Sequence, residues 1–228
     1  MNIPHKHDWN ITSAEAIALQ RQLANEVNYS QPIDLDAVRL VAGVDVSVKP
    51  DQNGKDISQA AIAVLSFPDL KPVETALAKI PTPFPYIPGL LSFREGPVLE
   101  EAFKQLQCEP DVYIFDGMGR AHPRRIGIAT HIGLWLQKPT IGCGKTHLIG
   151  RYQEPLDERG AYSELVDRNE VIGVVLRTRA SVKPVYISVG HLADLPTSIE
   201  LVMRCTTKYR LPEPIRAAHN AAGQFAKP

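Results

Sequence analysis

The sequence has few cysteines, no excess of charge and no long apolar run. Its three cysteines are Cys108, Cys143 and Cys205, and none are spaced as C-x-x-C. This argues against a disulfide framework or a zinc ribbon and favours a reducing compartment. The first twelve residues, MNIPHKHDWNIT, lack the apolar stretch of a signal peptide, and no segment is long enough to span a membrane. We therefore expect a cytoplasmic protein with no membrane partner.

The charges are balanced over the whole chain but segregated along it. The sequence has 25 acidic and 25 basic residues, so its net charge does not indicate a nucleic-acid binder. Residues 116–151 carry a net charge of +5, and residues 152–170 carry a net charge of −4. A neutral chain with this distribution can still present a cationic face to a polyanion.

The order of predicted elements indicates an α/β fold. A helix is predicted at 12–27, followed by three strands at 39–48, 58–67 and 71–80, the first two joined by the turn sequence KPDQNGK. Helices and strands then alternate: helix 97–106, strand 111–115, helix 125–136, strand 140–143, strands 171–178 and 185–189, and a helix from Pro196 to Met203. No polar linker divides the chain. We expect one domain over residues 1–228, with a mixed sheet whose first strands are antiparallel and whose later strands are parallel, flanked by helices.

Three carboxylates are candidates for a metal site. Asp45 lies within the valine-rich strand VAGVDVSV, and Asp116 ends the strand VYIF, where ligands gather in α/β sheets. A structural ion pair is the alternative for Asp45 alone. Glu95 fits a capping box with Ser92, but Pro97 favours a helix start at the proline, which would leave Glu95 outside the helix. Oxygen ligands without paired cysteine or histidine suit a hard cation such as Mg²⁺.

Positive charge follows Asp116 closely. Arg120, Arg124 and Arg125, together with Lys145 after the next strand, are expected to hold the phosphates on either side of a reacting one. His122 lies in the same turn, where a solvent-facing histidine is the common alternative. The segment IGCGKTHLIG resembles a P-loop, but Pro139 stands where the first glycine is required.

The segment PTPFPYIPG is a stiff, irregular loop, because it has four prolines in nine residues. Its tyrosine, Tyr86, lies between Pro85 and Pro88. An aromatic side chain at the tip of a rigid loop can wedge into a base stack, although such side chains often only pack the loop onto the protein.

Taken together, these motifs are similar to those of the endonuclease V family, the deoxyinosine-directed repair nucleases. The resemblance runs over nearly the whole chain, through AGVDVSV, PYIPGLLSFREGP, DGMGRAHPRRIGIATHIG, PTIGCGKTHLIG, SVGHLAD and RLPEPIRAAH. It implies a ribonuclease-H-like fold and Mg²⁺-dependent hydrolysis, with Mn²⁺ able to take its place. The cut would fall on the 3′ side of deoxyinosine, one bond removed from the lesion.

The resemblance also implies roles for individual residues. Asp45, Glu95 and Asp116 would bind the metal, and His122, Lys145 and His219 would complete the catalytic set. The strand-separating wedge would be Pro85, Tyr86, Ile87 and Pro88, and the lesion pocket would be Gly89, Leu91, Gly117, Gly119 and Ile128. One departure is visible, because bacterial members usually read GVAKS where this chain has GCGKT at 142–146.

Several alternatives stay open at this point. The expected partner is DNA containing deoxyinosine, but RNA, other lesions and mismatches are alternative substrates. The chain could instead be a module that binds inosine without cutting, although three intact acids argue against it. A different nuclease activity on the same fold is a third hypothesis, which the PYIPG wedge disfavours. We expect a monomer.

Overall fold

The computed structural model describes residues 7–224, which form one continuous eight-stranded sheet with helices on both faces. The strands are β1 Leu40–Pro50, β2 Asp56–Ser66, β3 Pro72–Pro81, β4 Val112–Phe115, β5 Thr140–Gly144, β6 Tyr162–Asp167, β7 Glu170–Leu176 and β8 Val185–His191. The helices are α1 Ser13–Leu23, α2 Leu91–Gln105, α3 Ile128–Leu136, α4 Leu195–Arg204 and α5 Glu213–Gln224. None of the described helices is both long and apolar enough to cross a membrane.

The sheet is mixed, as the sequence predicts. Its strand order is β3-β2-β1-β4-β5-β8-β7-β6. Strands β1, β4 and β5 are parallel, and β1, β2 and β3 pair antiparallel. The sheet becomes antiparallel again beyond β5. Strand β6 was not predicted, because its sequence YSELVD is polar and buries only Leu165.

Alternating side chains of the central strands feed two separate cores. Tyr113 and Phe115 pack with α2 and α3 on one face, and Val112 and Ile114 pack with α4 and the start of α5 on the other. This alternation follows from the two-residue period of a strand. The carboxyl ends of β1, β4 and β5 therefore lie between the two hydrophobic cores, which hold the residues at these strand ends in fixed positions.

Helix α2 begins six residues earlier than predicted. It starts at Leu91, no side chain caps it, and Pro97 lies inside it. The expectation that Glu95 lies outside the helix is therefore wrong, and the alternative of a capping box between Ser92 and Glu95 is not formed either. Pro97 removes one internal hydrogen bond. The burial of Phe93, Val98 and other α2 side chains in the core outweighs that loss.

Helix α5 was not predicted, yet it places the C-terminal histidine. It crosses β1 so closely that a Cβ atom on Gly43 would lie 2.0 Å from the carbonyl oxygen of Pro214. Ala218 and Ala222 then pack on Ala61 and Ala63 of β2. Small residues on both sides allow this close approach, which brings the middle of α5 over the middle of β1.

Candidate active site

Asp45 and Asp116 are brought together by the parallel pairing of β1 with β4. The backbone N–H of Asp116 donates to the carbonyl oxygen of Val44 at 2.9 Å, so Asp116 leaves its strand beside Asp45. His219 of α5 contacts the same acid, with 2.7 Å between its Nδ1 and Oδ2 of Asp45. One ligand atom from each of Asp45, Asp116 and His219 lies within 4.8 Å of the other two. These three residues form the acidic cluster.

Lys145 lies beside the acidic cluster, just after the end of β5. Its Nζ forms an ion pair with Oδ2 of Asp116 and lies 3.5 Å from Nδ1 of His219. Arg210 holds the backbone beneath it, since its Nη2 donates to the carbonyl oxygens of Lys145 at 2.7 Å and Pro184 at 2.8 Å. The sequence places Arg210 in the RLPEP motif, but nothing local indicates that it supports Lys145.

Glu95 lies behind the acidic cluster on α2 and outside its 4.8 Å group. Burial raises the pKa of the Glu95 carboxyl well above its usual value, and the nearby carboxylates of Asp45 and Asp116 raise it further. Burial also raises the pKa of Asp45 to about 6, followed by repulsion from Asp116, while His219 acts in the opposite direction. The raised pKa values of Asp45 and Glu95, together with the imidazole of His219 beside Asp45, fit a bound divalent cation.

A pocket of about 370 Å³ opens beside the acidic cluster. Asp116 and Lys145 lie in its wall, so the pocket and the cluster share a boundary. Ten of the residues singled out from the sequence line it: Tyr86, Ile87, Pro88, Gly89, Leu91, Asp116, Gly117, His122, Ile128 and Lys145. Tyr86 at its rim is 69% exposed, which makes it available to a ligand rather than packed onto the protein.

Of the residues predicted for the wedge and the lesion pocket, Gly119 and Pro85 are not part of the pocket lining. Gly119 lies beneath the loop, where its N–H donates to Oγ of Ser188 at 2.9 Å and its carbonyl accepts from Gly127. Gly119 therefore has a structural role, because it supports Gly127, which lines the pocket. Pro85 is exposed on the loop that carries Tyr86.

His122 is buried, in contrast to the solvent-facing alternative. Its Nδ1 accepts the backbone N–H of Arg124 at 3.2 Å, so the proton is on Nε2, which lies 3.0 Å from the carbonyl oxygen of Gly89. Burial lowers the pKa of His122 to about 4, and the charge of Arg124 lowers it further. His122 is thus a neutral side chain, and both of its ring nitrogens form hydrogen bonds within the protein.

The arginines after Asp116 all have partners within the protein. Arg120 pairs with Glu170, and Arg125 pairs with both Glu170 and Asp167 at 2.8–2.9 Å. The positive stretch 116–151 is therefore neutralised in part by the negative stretch 152–170. Arg124 bonds Gln20 and Gly89. That these arginines hold phosphates therefore stays a prediction, and Lys145 is the cation that contacts Asp116.

Among the lining residues that the sequence did not assign to the pocket, Met118 and Gly144 account for one part of the GCGKT departure, the glycine at position 144. Met118 and Gly144 both line the pocket. A Cβ atom on Gly144 would lie 2.4 Å from Cε and 2.8 Å from Sδ of Met118. The end of the Met118 side chain therefore uses the space that an alanine methyl group would fill, a relationship no local pattern reveals.

Comparison with known proteins agrees with this arrangement. The family model described as Endonuclease V matches residues 21–220. Endonuclease V of Trichormus variabilis is 51% identical over 226 residues, which cover 97% of this chain and 99% of the relative.

Two solved structures share the fold. The crystal structure of Bacillus subtilis endonuclease V has a TM-score of 0.95 at 34% identity, covering 99% of this chain and 97% of that one. Ciona intestinalis endonuclease V, in complex with a 24mer DNA containing an inosine followed by a ribo-adenosine, has a TM-score of 0.80 at 28% identity. That alignment covers 93% of this chain and 96% of the Ciona chain. From the matched length, the identity and the shared fold, this chain belongs to the endonuclease V family.

Proposed function

We propose that this protein is a metal-dependent endonuclease that recognises deoxyinosine in DNA and hydrolyses a phosphodiester on its 3′ side, one bond removed from the lesion. The observation that carries the proposal is that one cavity borders both the candidate metal site and the residues predicted to hold the base. Its wall contains Asp116 of the acidic cluster and the neighbouring Lys145, and its rim contains the exposed Tyr86. A base held in the pocket would place its neighbouring phosphates beside the acids.

The acidic cluster and Glu95 would hold the metal. Asp45, Asp116 and Glu95 offer carboxylate oxygens, which Mg²⁺ prefers, with Mn²⁺ as a substitute that also accepts the imidazole of His219. When bound, such a cation lowers the pKa of water and stabilises the leaving oxygen of a phosphodiester. The buried acids supply the charge that a divalent cation neutralises.

The remaining residues orient the substrate. Lys145, fixed through its backbone by Arg210, presents Nζ at the edge of the acidic cluster, where it would pair with a phosphate oxygen. His219 holds the carboxylate of Asp45 in place through Nδ1. Tyr86 would enter the base stack, and the flipped base would enter the pocket behind it, at least cost when it is poorly paired.

A second candidate substrate is inosine in RNA. The Ciona relative was solved with DNA whose inosine is followed by a ribo-adenosine. A site that accepts a ribose next to the lesion favours testing both nucleic acids. We also propose a cytoplasmic monomer with one domain over residues 1–228, and the three free cysteines support a reducing compartment.

The proposal is tested by a single-turnover assay on a labelled duplex with one deoxyinosine. The duplex is incubated with Mg²⁺, with Mn²⁺ and with chelator, beside the same sequence without inosine and an RNA strand with inosine. A metal-dependent nick 3′ to the lesion, offset by one bond and absent from the control, is expected. Equal cutting of both duplexes would remove lesion recognition. Binding of both the duplex and the RNA strand without cutting of either would overturn the assignment as an enzyme.

A further inference from the structure

The carbonyl oxygen of Gly89 is bound by three side chains at once. Nε2 of Gln20 lies 3.0 Å from it, Nη2 of Arg124 lies 2.7 Å from it, and Nε2 of His122 lies 3.0 Å from it. A carbonyl oxygen has two lone pairs, so three donors fully occupy this acceptor. We call these four residues the Gly89 junction.

The orientation of each group in the Gly89 junction is fixed. Oε1 of Gln20 accepts from Nε of Arg124 at 2.6 Å, so the amide nitrogen of Gln20 must be the atom that faces Gly89. Gln20 is fully buried on α1. The buried amide of Gln20 donates one hydrogen bond and accepts another within the protein. Losing either would leave a buried polar group without a partner, which costs free energy, so the structure strongly favours this arrangement of the junction.

The Gly89 junction lies between the loop that carries Tyr86 and the start of helix α2. Gly89 has a φ of +80°, which favours glycine, and it follows the exposed loop that carries Tyr86. The next residue, Leu90, is the N-cap of α2, the helix that carries Glu95. The hydrogen bonds to the Gly89 carbonyl therefore fix the position of the backbone between Tyr86 and Glu95. Gln20 lies outside the range matched by the family model, which begins at residue 21.

We propose that Gln20 and Arg124 are positioning residues that brace the Tyr86 loop while a base is forced out of a duplex. This inference rests on the proposed function. The wedge must resist the load of separating stacked bases. Phe84, which is buried and whose carbonyl accepts from Nη1 of Arg94 at 2.9 Å, holds one end of the loop, and the Gly89 junction holds the other. The brace matters for a paired base and little for a base that is already unpaired, which separates it from a general structural role.

The test compares two substrates and two variants. Gln20→Glu keeps the size and the contact with Arg124 but turns an acceptor toward the Gly89 carbonyl. Leu23→Ala is the control, because Leu23 is buried on the same helix and contacts Ile126 and Leu134 instead. Single-turnover rates are measured on duplex inosine and on inosine in an unpaired bubble, with Mg²⁺ and active-site titration.

Gln20→Glu should lower the duplex rate about tenfold or more, as expected when positioning is lost, and the bubble rate by less than about threefold. Leu23→Ala should change both rates by the same factor. An equal loss on both substrates in Gln20→Glu, or no loss on the duplex, would overturn the inference while leaving the proposed function in place.

Amide hydrogen exchange of residues 82–90 in the absence of nucleic acid gives an independent readout. Exchange in this segment should be faster in Gln20→Glu and unchanged in Leu23→Ala. Unchanged exchange in Gln20→Glu would overturn the brace whether or not the protein cuts. If the parent protein cuts neither inosine substrate, the proposed function fails, and with it the inference that rests on it.

Discussion

His219 contacts Asp45 across 174 residues of sequence, with 2.7 Å between Nδ1 and Oδ2. The contact joins the last helix to the first strand at the point where the acids are most crowded. It lowers the pKa of a carboxyl that burial and Asp116 raise. The fold therefore uses its C-terminal helix to stabilise the charged form of an acid that the core disfavours.

Removing one acid should separate activity from stability. Asp116→Asn keeps the size of the side chain but removes a charge that raises the pKa of both Asp45 and Glu95. We expect single-turnover cutting of inosine DNA to fall more than about 100-fold, the scale of losing one transition-state-stabilising group. The metal-free protein should stay folded with an unfolding temperature close to that of the parent, because the relief of repulsion on Asp45 and Glu95 offsets the lost ion pair with Lys145. A folded variant that cuts at the parent rate would remove Asp116 from the metal site.

Tyr86→Ala should reduce lesion selectivity more than metal binding. Tyr86 is 69% exposed and lines the pocket rim, so its loss removes contact with nucleic acid without opening the core. Loss of one aromatic stacking contact costs about 1–3 kcal/mol, which should appear in the ratio of rates on inosine and ordinary duplexes.

Tyr162→Ala is the matched control for the wedge, because Tyr162 is 55% exposed on β6 and does not line the pocket. Its rate ratio and its Mn²⁺ affinity by calorimetry should equal those of the parent. If both tyrosine variants shift selectivity equally, the effect is not specific to the wedge.

Stability below neutral pH should depend on His122. Burial lowers its pKa from 6.5 to about 4, so the unfolded chain binds this proton more readily than the folded one. The contribution of His122 is therefore present above the unfolded pKa and is lost as the pH falls from about 6.5 to about 4, by up to about 3 kcal/mol. The raised pKa values of Asp45 and Glu95 act in the opposite sense over this window.

The His122 contribution is isolated by comparing the parent with His122→Gln, which keeps a donor near Gly89. Free energies of unfolding in urea are measured at pH 7, 6 and 5 without metal. The difference between the two proteins should shrink steadily as the pH falls. A difference that is constant over the three pH values would show that His122 does not titrate on unfolding.

Some parts of the site could be predicted from the sequence because their signals are local. Asp45 and Asp116 follow from strand patterns, and Tyr86 follows from prolines that force an exposed loop. Helix α2 could not be bounded, since burial of its apolar face overrides the proline inside it. The ion pairs of Arg120 and Arg125 could not be predicted, because Glu170 and Asp167 come close only when β6 and β7 fold back beside the turn after β4. Contacts between residues that are far apart in the sequence produce no periodic pattern in it, so they cannot be predicted from local signals.

The pair of Gly144 and Met118 should set the shape of the base pocket. Alanine at position 144 would place its methyl group 2.4 Å from Cε of Met118, and the flexible thioether must then move toward the pocket that both residues line. We expect Gly144→Ala to narrow the pocket and to slow cutting at a purine with an added 2-oxo group, xanthine, more than at hypoxanthine. A steric difference of this size is worth about 1–3 kcal/mol in relative kcat/KM.

The double variant Gly144→Ala with Met118→Ala tests whether the effect passes through the methionine. Removing the thioether should restore the parent ratio of xanthine to hypoxanthine cutting, because the new methyl group then meets an empty space. Relative kcat/KM values on the two duplexes measure this directly. A ratio that stays low in the double variant would show that Gly144 acts on the neighbouring Lys145 backbone instead, and a ratio unchanged in Gly144→Ala would remove the pair from base selection.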